Sequence, residues 1–315
     1  MRRRQAIFLS SVIIAIAALG ALSYGISYAP NNARDKISII TTFYPLAFYA
    51  EAIGGDRVSV KALIPYNSEV HSWQPSASDI AKANDADILI YNGAGLDHWF
   101  EEDILPLINT TRTIVVEATE GITLHEASEG GDEGDAHDHG QYDPHTWVSP
   151  HLALQQAQKV YEALLLKDPA NSAYYGQRWQ ELKERFENLD SRYQSELSDR
   201  TKNMIFVAHA AFGYLAERYG FEQHGVIGIS ADQQPSITAL TNLVTLMSTH
   251  NVYVVFTDPV YSDQYAQVLK IDLERISGHE VQVLKLYLML GPIDDKDYIG
   301  QMEANLNSLK TGLGA

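Results

Sequence analysis

Short β-type runs alternate with helical stretches along most of this chain, and the alternation occurs twice. In the first half the runs are ISIITT (37–42), VSVKALI (58–64), ADILIYNG (86–93) and TIVVEA (113–118). In the second half they are MIFVA (204–208), HGVIGI (224–229), VYVVFT (252–257) and VQVLKL (281–286). Alternation of this kind is typical of βαβ units with a parallel sheet. The sequence therefore predicts an α/β protein with two mainly parallel four-stranded sheets, each flanked by helices.

A long amphipathic segment separates the two halves. Its apolar residues are spaced 4, 3, 4, 3 and 4 positions apart, which is the spacing of one helical stripe: Tyr175, Trp179, Leu182, Phe186, Leu189 and Tyr193. A coiled-coil dimer would show a similar stripe, but two α/β halves on either side favour a brace packed against both. We expect an N-terminal lobe at 37–168, a connecting helix at 169–200, a C-terminal lobe at 201–315, and a monomer.

The N-terminus has the pattern of an export signal. Three arginines at 2–4 precede a stretch without charge from Gln5 to Ala33, and small residues at Ser27 and Ala29 offer a cleavage site. The apolar run is also long enough to span a bilayer. We expect residues 1–29 to be a signal peptide or an uncleaved signal anchor, followed by a linker at 30–36. The folded part would then be periplasmic or at the cell surface, touching the membrane only through this segment.

Charge and cysteine content exclude several functions. The formal net charge of −17 makes nucleic acid an unfavourable partner, because a polyanion would be repelled. The chain has no cysteine. A disulfide and a thiolate metal site are therefore excluded, and a metal must be held by histidine and carboxylate side chains.

Three histidines stand where a parallel sheet binds ligands, beyond the carboxyl ends of strands. His71 follows the run 58–64 through a short turn, His209 follows MIFVA directly, and His145 lies in DPHTWVSP. A single histidine at a strand end is more often a structural residue. Three in comparable positions indicate a metal site, and imidazole nitrogens suit zinc.

The stretch 125–140 is rich in acids and glycine and holds three more histidines, His125, His137 and His139. Nothing in it is apolar enough to form a core. It is either a solvated acidic insertion or a loop that collects zinc weakly beside the main site. We expect its histidines to be accessory ligands at most.

Several joined motifs resemble one family. ALIPYNSEVHSWQPSASDI, DPHTWVSP and VAHAAFGYLAERYGFE are similar to segments of the ZnuA-type zinc and manganese receptors of ABC importers, within the TroA-like superfamily, and the resemblance covers roughly residues 37–312. It implies a divalent metal bound between two α/β lobes joined by one long helix. His71 and His145 would come from the first lobe and His209 from the second. It also implies delivery to a permease and its ATPase, and no enzymatic activity.

The chain departs from that family at two places. Receptors of this type often add an acidic ligand after the last strand of the second lobe, but residues 285–291 hold no carboxylate. The fourth ligand could be water, Asp258, Glu69 or a side chain of the loop 125–140. Ala210 also stands where the family often has an acid after the third histidine.

Other functions remain open at this point. Manganese is the alternative cargo, although three imidazoles without a carboxylate pair favour zinc. A zinc metallohydrolase could use the same three histidines. However, the sequence has no H-E-x-x-H motif. A surface adhesin is the third alternative, because the family sometimes includes adhesins.

Overall fold

A computed structural model describes residues 36–126, 141–229 and 235–315 of the chain. The predicted signal segment 1–29, nearly all of the linker 30–36, and His137 and His139 lie outside these residues. The part from Ile37 to Ala315 forms one unit. No helix among the described residues is long and apolar enough to cross a membrane.

The first sheet has four parallel strands in the order β2-β1-β3-β4. Its strands are β1 (Ile37–Thr41), β2 (Val58–Ala62), β3 (Ile88–Tyr91) and β4 (Ile114–Glu117). Central β3 is buried along its whole length, as expected for a strand covered on both faces. Two helices of this lobe precede the acidic stretch 125–140, namely α1 (Tyr44–Gly54) and α2 (Ala77–Asn84). A capping box between Ser76 and Asp79 starts α2.

The second sheet repeats the arrangement of the first. It has four parallel strands in the order β6-β5-β7-β8, and these are β5 (Met204–His209), β6 (Glu222–Ile227), β7 (Val254–Thr257) and β8 (Gln282–Lys285). Its helices are α5 (Gly213–Tyr219), α6 (Ile237–His250), α7 (Gln264–Ser277) and α8 (Tyr298–Leu313). The predicted α/β class with two parallel four-stranded sheets is confirmed.

Two consecutive helices connect the sheets. The first, α3 (Pro150–Lys167), was not predicted from the sequence pattern; the second, α4 (Ser172–Glu196), is the predicted long helix. Its 25 residues span about 37 Å. All six members of the apolar stripe are buried, and they join a core that continues from the first lobe into the second.

The core between the lobes is aromatic. Tyr49 of α1, Phe186 of α4 and Tyr298 of α8 are each fully buried and in contact, with ring centroids 5.4 Å apart for the two tyrosines and 6.1 Å apart for Phe186 and Tyr298. The hydroxyl groups of the two tyrosines lie 2.7 Å apart and form a hydrogen bond. A second, smaller core lies between the second sheet and helices α6 and α7. The lobes therefore share one packed interior, which fixes the carboxyl ends of the two sheets near each other.

Candidate metal centre

His71, His145 and His209 converge at the junction of the two sheets. One nitrogen from each lies within 4.8 Å of the others, and this is the one group of three potential metal-binding side chains found among the described residues. The Nε2 atoms of His71 and His145 are 3.3 Å apart. Two nitrogens that each lie about 2.05 Å from one tetrahedral zinc are separated by roughly 3.3 Å. The spacing of this pair therefore fits a shared zinc ion.

His71 lies in the loop that follows β2 and is half-buried. The carboxylate of Glu69, two residues earlier, accepts a hydrogen bond from the backbone N–H of His71 at 2.7 Å. This bond closes a tight turn that holds the imidazole toward the other two histidines. Glu69 itself lies outside the group of donor atoms.

His145 is fully buried, and Asp143 fixes both its backbone and its ring. One carboxylate oxygen of Asp143 accepts the backbone N–H of His145 at 2.9 Å and lies 2.8 Å from its Nδ1. Because a carboxylate accepts hydrogen bonds, Nδ1 carries the proton in this pair and Nε2 keeps its lone pair. A carboxylate behind a ligating histidine is the usual way to set its tautomer and increase its basicity as a ligand.

A buried polar network fastens the turn around His145 to the first sheet. The Asn92 side chain, just past β3, donates to the carbonyl oxygen of Pro144 at 3.2 Å, and Gln156 of α3 donates to the Asn92 side chain at 3.0 Å. Asp97 accepts the backbone N–H of Asn92 and the hydroxyl of Thr42, both at 2.7 Å. Burial raises the pKa of Asp97 to about 6. The NGAGLD stretch therefore supports the His145 turn without itself contributing a donor to the group.

His209 is the last residue of β5, at the centre of the second sheet. Its Nε2 lies 2.6 Å from the carbonyl oxygen of Ile229. A carbonyl can only accept, so Nε2 carries the proton and Nδ1 keeps its lone pair. Among the described residues, Nδ1 is buried and has no hydrogen-bond partner. Burial, reinforced by nearby His145, lowers the pKa of His209 to about 3. The imidazole is therefore neutral at neutral pH, and a buried lone pair without a partner suits a metal ion.

Asp258, expected as a possible fourth ligand, lies outside the donor group. One of its carboxylate oxygens accepts the backbone N–H of Val260 at 2.7 Å and the other accepts that of Leu288 at 2.6 Å. Burial raises its pKa to about 6. The contacts are those of a carboxylate that joins β7 to the segment after β8. No carboxylate in the described ranges completes the group, and water as the fourth ligand stays a prediction.

His125 lies apart from the three histidines. Its ring stacks on Tyr214, with centroids 4.1 Å apart, and its Nε2 contacts the carboxylate of Glu217. Tyr214 in turn donates its hydroxyl to the carbonyl oxygen of Asp143 at 2.6 Å. The first residue of the acidic stretch is thus attached to the second lobe next to the His145 turn, while the proposed accessory role of its histidines stays a prediction.

Sequence reasoning missed the residues that orient the histidines. In both first-lobe motifs an acid stands two positions before the histidine, as Glu69 before His71 and as Asp143 before His145. This shared spacing was the available signal. No local pattern marked Gln156, because its contact with Asn92 joins segments that are distant in sequence.

Comparison with known proteins gives consistent matches. The model of the family ZnuA, zinc-uptake complex component A, periplasmic, matches residues 39–312. The high-affinity zinc uptake system protein ZnuA of Bacillus subtilis (strain 168) is 33% identical over 287 residues, which cover 89% of this chain and 88% of that protein.

Solved structures of similar proteins share the architecture. The laminin-binding protein Lmb of Streptococcus agalactiae, described as bifunctional with adhesin and metal transporting activity, has a TM-score of 0.77 and 28% identity, covering 89% of this chain and all of that one. The Zn(II)-bound ZnuA-like domain of Streptococcus pneumoniae AdcA has a TM-score of 0.72 and 27% identity over 89% of this chain and all of that domain. The matched region of the family model contains the long helix, all three histidines and every strand of both sheets except the first two residues of β1.

Proposed function

The chain belongs to the zinc-uptake complex component A family, and from this premise we propose that it captures Zn²⁺ with His71, His145 and His209 and delivers it to an ABC-type permease and its ATPase. The observation that carries the proposal is the convergence of these imidazoles from two lobes, with one nitrogen from each within 4.8 Å of the others. The lone pairs of His145 Nε2 and His209 Nδ1 are left available by their hydrogen bonds.

The chain is a binding component for uptake and is not an enzyme, in keeping with its family. The surroundings of the three histidines agree with this role. The two carboxylates that bond to His71 and His145, those of Glu69 and Asp143, are engaged in holding these histidines rather than placed to activate a water molecule.

Zinc is the cargo favoured by the donor set. Three neutral nitrogens suit zinc, whereas manganese prefers oxygen ligands and stands at the weak end of the general affinity order. No carboxylate among the described residues joins the group. Manganese is the alternative cargo of the same receptor type. A binding competition between zinc and manganese would show which of the two metals the protein prefers.

The family is described as periplasmic, so the folded part of this receptor works outside the cytoplasm. We infer further that residues 1–29 direct its export, either as a cleaved signal peptide or as an anchor that keeps it at the membrane, and that the receptor acts as a monomer. The acidic stretch 125–140 would raise the local zinc concentration beside the site.

Single alanine variants of the three histidines test the site. In His71→Ala, His145→Ala and His209→Ala, zinc affinity should fall by at least about 100-fold, because each variant removes one of three protein donors. His250→Ala is the matched control, since His250 is an exposed histidine at the end of α6. Zinc affinity would be measured by competition with a chelating dye, and stoichiometry by native mass spectrometry. Parental affinity in His209→Ala would refute the assignment.

A further inference from the structure

The segment Leu286–Pro292 follows β8 and lies between the two lobes without contributing a donor to the metal group. Residues 286–290 are each at most 4% exposed. The segment begins with a bond from the backbone N–H of Leu286 to the carbonyl of Thr257, which continues the pairing of β8 with β7. Five of its carbonyl groups accept hydrogen bonds, three from the first lobe and two from the second.

Three carbonyl groups of this segment accept hydrogen bonds from the first lobe. The indole N–H of Trp147 donates to Leu288 at 2.8 Å. The backbone N–H of Asn67 donates to Leu290 at 2.9 Å, and the side-chain amide of Asn67 donates to Pro292 at 3.0 Å. The accepting carbonyls belong to alternate residues of the segment.

The carbonyl groups of Tyr287 and Gly291 accept from the second lobe itself. Asn305 of α8 donates to Tyr287 at 2.8 Å and accepts the backbone N–H of the same residue at 2.6 Å. Gln301, one turn earlier on α8, donates to Gly291 at 2.7 Å. Both amides are buried. The segment is therefore held firmly on α8, while the carbonyls of Leu288, Leu290 and Pro292 bond to the first lobe.

The two first-lobe donors stand beside the metal ligands in sequence. Asn67 precedes His71 by four residues, and Trp147 follows His145 by two, with the rings of Trp147 and His145 5.1 Å apart. The backbone of Gly291 lies close to Asn67. A Cβ added at Gly291 would lie 2.7 Å from the Asn67 side-chain oxygen and 2.8 Å from Cβ of Tyr66. A glycine is therefore needed where the His71 loop touches the segment.

We propose that Asn67 and Trp147 are positioning residues that dock the two ligand-bearing turns of the first lobe onto the segment Leu286–Pro292 of the second. The docking sets the distance of His71 and His145 from His209 before zinc arrives. It rests on the proposed function, since it concerns the same site. Its physical basis is preorganisation, because lobes that are already held in place lose less conformational freedom on binding the ion.

Variants that remove the two side-chain donors test this proposal. Trp147→Phe removes the indole N–H and retains an aromatic ring. Asn67→Gly removes the side-chain amide and tolerates the positive φ of +56° at this position. Trp99→Phe is the matched control, because the Trp99 indole is equally buried and its N–H has no partner among the described residues.

The zinc dissociation constant should rise about fivefold in each single variant and about 25-fold in the double variant, as expected for the loss of one or two neutral hydrogen bonds. Trp99→Phe should remain within about twofold of the parent.

A distance measurement separates positioning from a general loss of stability. Because the chain has no cysteine, cysteines introduced at exposed Ala81 of α2 and exposed Ile276 of α7 would be the only sites for spin labels. In zinc-free protein, the interlobe distance should be narrowly distributed in the parent and in Trp99→Phe, but broad in the double variant. Saturating zinc should narrow it again.

The outcomes distinguish this proposal from the proposed function. A parent that binds no zinc refutes the proposed function. A parent that binds zinc, together with a double variant of parental affinity and parental distance distribution, refutes the docking role. Equal weakening in Trp99→Phe and Trp147→Phe also refutes it, because the effect would then follow loss of an indole and not loss of this hydrogen bond.

Discussion

The bond between Asp143 and His145 gives the most direct test of how the site is built. Asp143→Ala removes an oxygen that accepts both the ring Nδ1–H and the backbone N–H of His145, at 2.8 and 2.9 Å. Loss of such a partner behind a metal-binding histidine typically weakens metal affinity 10- to 100-fold, which corresponds to about 1.4–2.7 kcal/mol. The same change leaves two buried N–H groups without this partner, each at a cost of about 1–3 kcal/mol in the free energy of unfolding.

Asp143→Asn separates these two effects. An amide oxygen can take the place of the carboxylate oxygen and accept both bonds, so the free energy of unfolding of the zinc-free protein should stay nearer to that of the parent. Zinc affinity should still fall, because a neutral amide is a weaker acceptor than a carboxylate.

The assays are zinc competition with a chelating dye at constant pH and urea unfolding of zinc-free protein. Asp297→Asn serves as the control for loss of an acid, since Asp297 caps α8 through the N–H of Gly300 and asparagine caps equally well. A folded Asp143→Ala protein with parental zinc affinity would show that the carboxylate does not orient His145 for metal binding.

Two further predictions concern Asp258 and the acidic stretch. Burial raises the pKa of Asp258 to about 6, so its contribution to stability is fully present below its unfolded pKa of about 3.9 and is lost as pH rises through about 6. We therefore expect the stability difference between the parent and Asp258→Asn to decrease by up to about 3 kcal/mol between pH 4 and pH 7. Urea titrations of the zinc-free proteins would measure the two free energies of unfolding. A difference that does not change with pH would contradict this prediction. Deleting residues 127–140 and joining the ends with a Gly-Ser-Gly-Ser linker, so that Glu126 and Tyr142 can still pair, should remove weak zinc equivalents in equilibrium dialysis and retain the tight one. Loss of the tight equivalent from a folded deletion protein would mean that the stretch supplies the fourth ligand.

The sheets and the long helix could be predicted because their signals are local. Most strands are short runs of β-branched and apolar residues bounded by turn residues, and the stripe of α4 repeats at helical spacing. The exception is β6 (Glu222–Ile227), which begins with polar residues and so starts two positions before the predicted run. The histidines could be found for a related reason. In a parallel sheet, the place where a ligand binds follows from where strands end, and His209 is the last residue of β5.

Prediction failed where tertiary contacts decide the structure. Helix α3 begins at Pro150, directly after the His145 turn, and its buried face includes the polar Gln156, so its pattern is less clear than that of α4. The region 98–108 reads as helical by composition, but the structure has a single π-type turn at Phe100–Ile104 and a 3₁₀ turn at Leu105–Leu107. Pro106 explains the interruption, because it cannot donate a helical hydrogen bond and crowds the carbonyl four residues earlier.

The hydrogen-bond partners of His145 and His209 help to explain why the site suits zinc. His145 has a carboxylate behind its ring, whereas His209, among the residues that the structure describes, bonds to the backbone carbonyl of Ile229. The negative charge of Asp143 therefore reaches the metal position through the ring of His145. The donor atoms themselves are neutral nitrogens. A hard cation such as manganese gains little from such a set, while zinc gains from each nitrogen. The low pKa of His209 favours binding of either cation. It keeps the imidazole neutral, so a metal ion need not displace a proton from it, and the preference for zinc rests on the nitrogen donors alone.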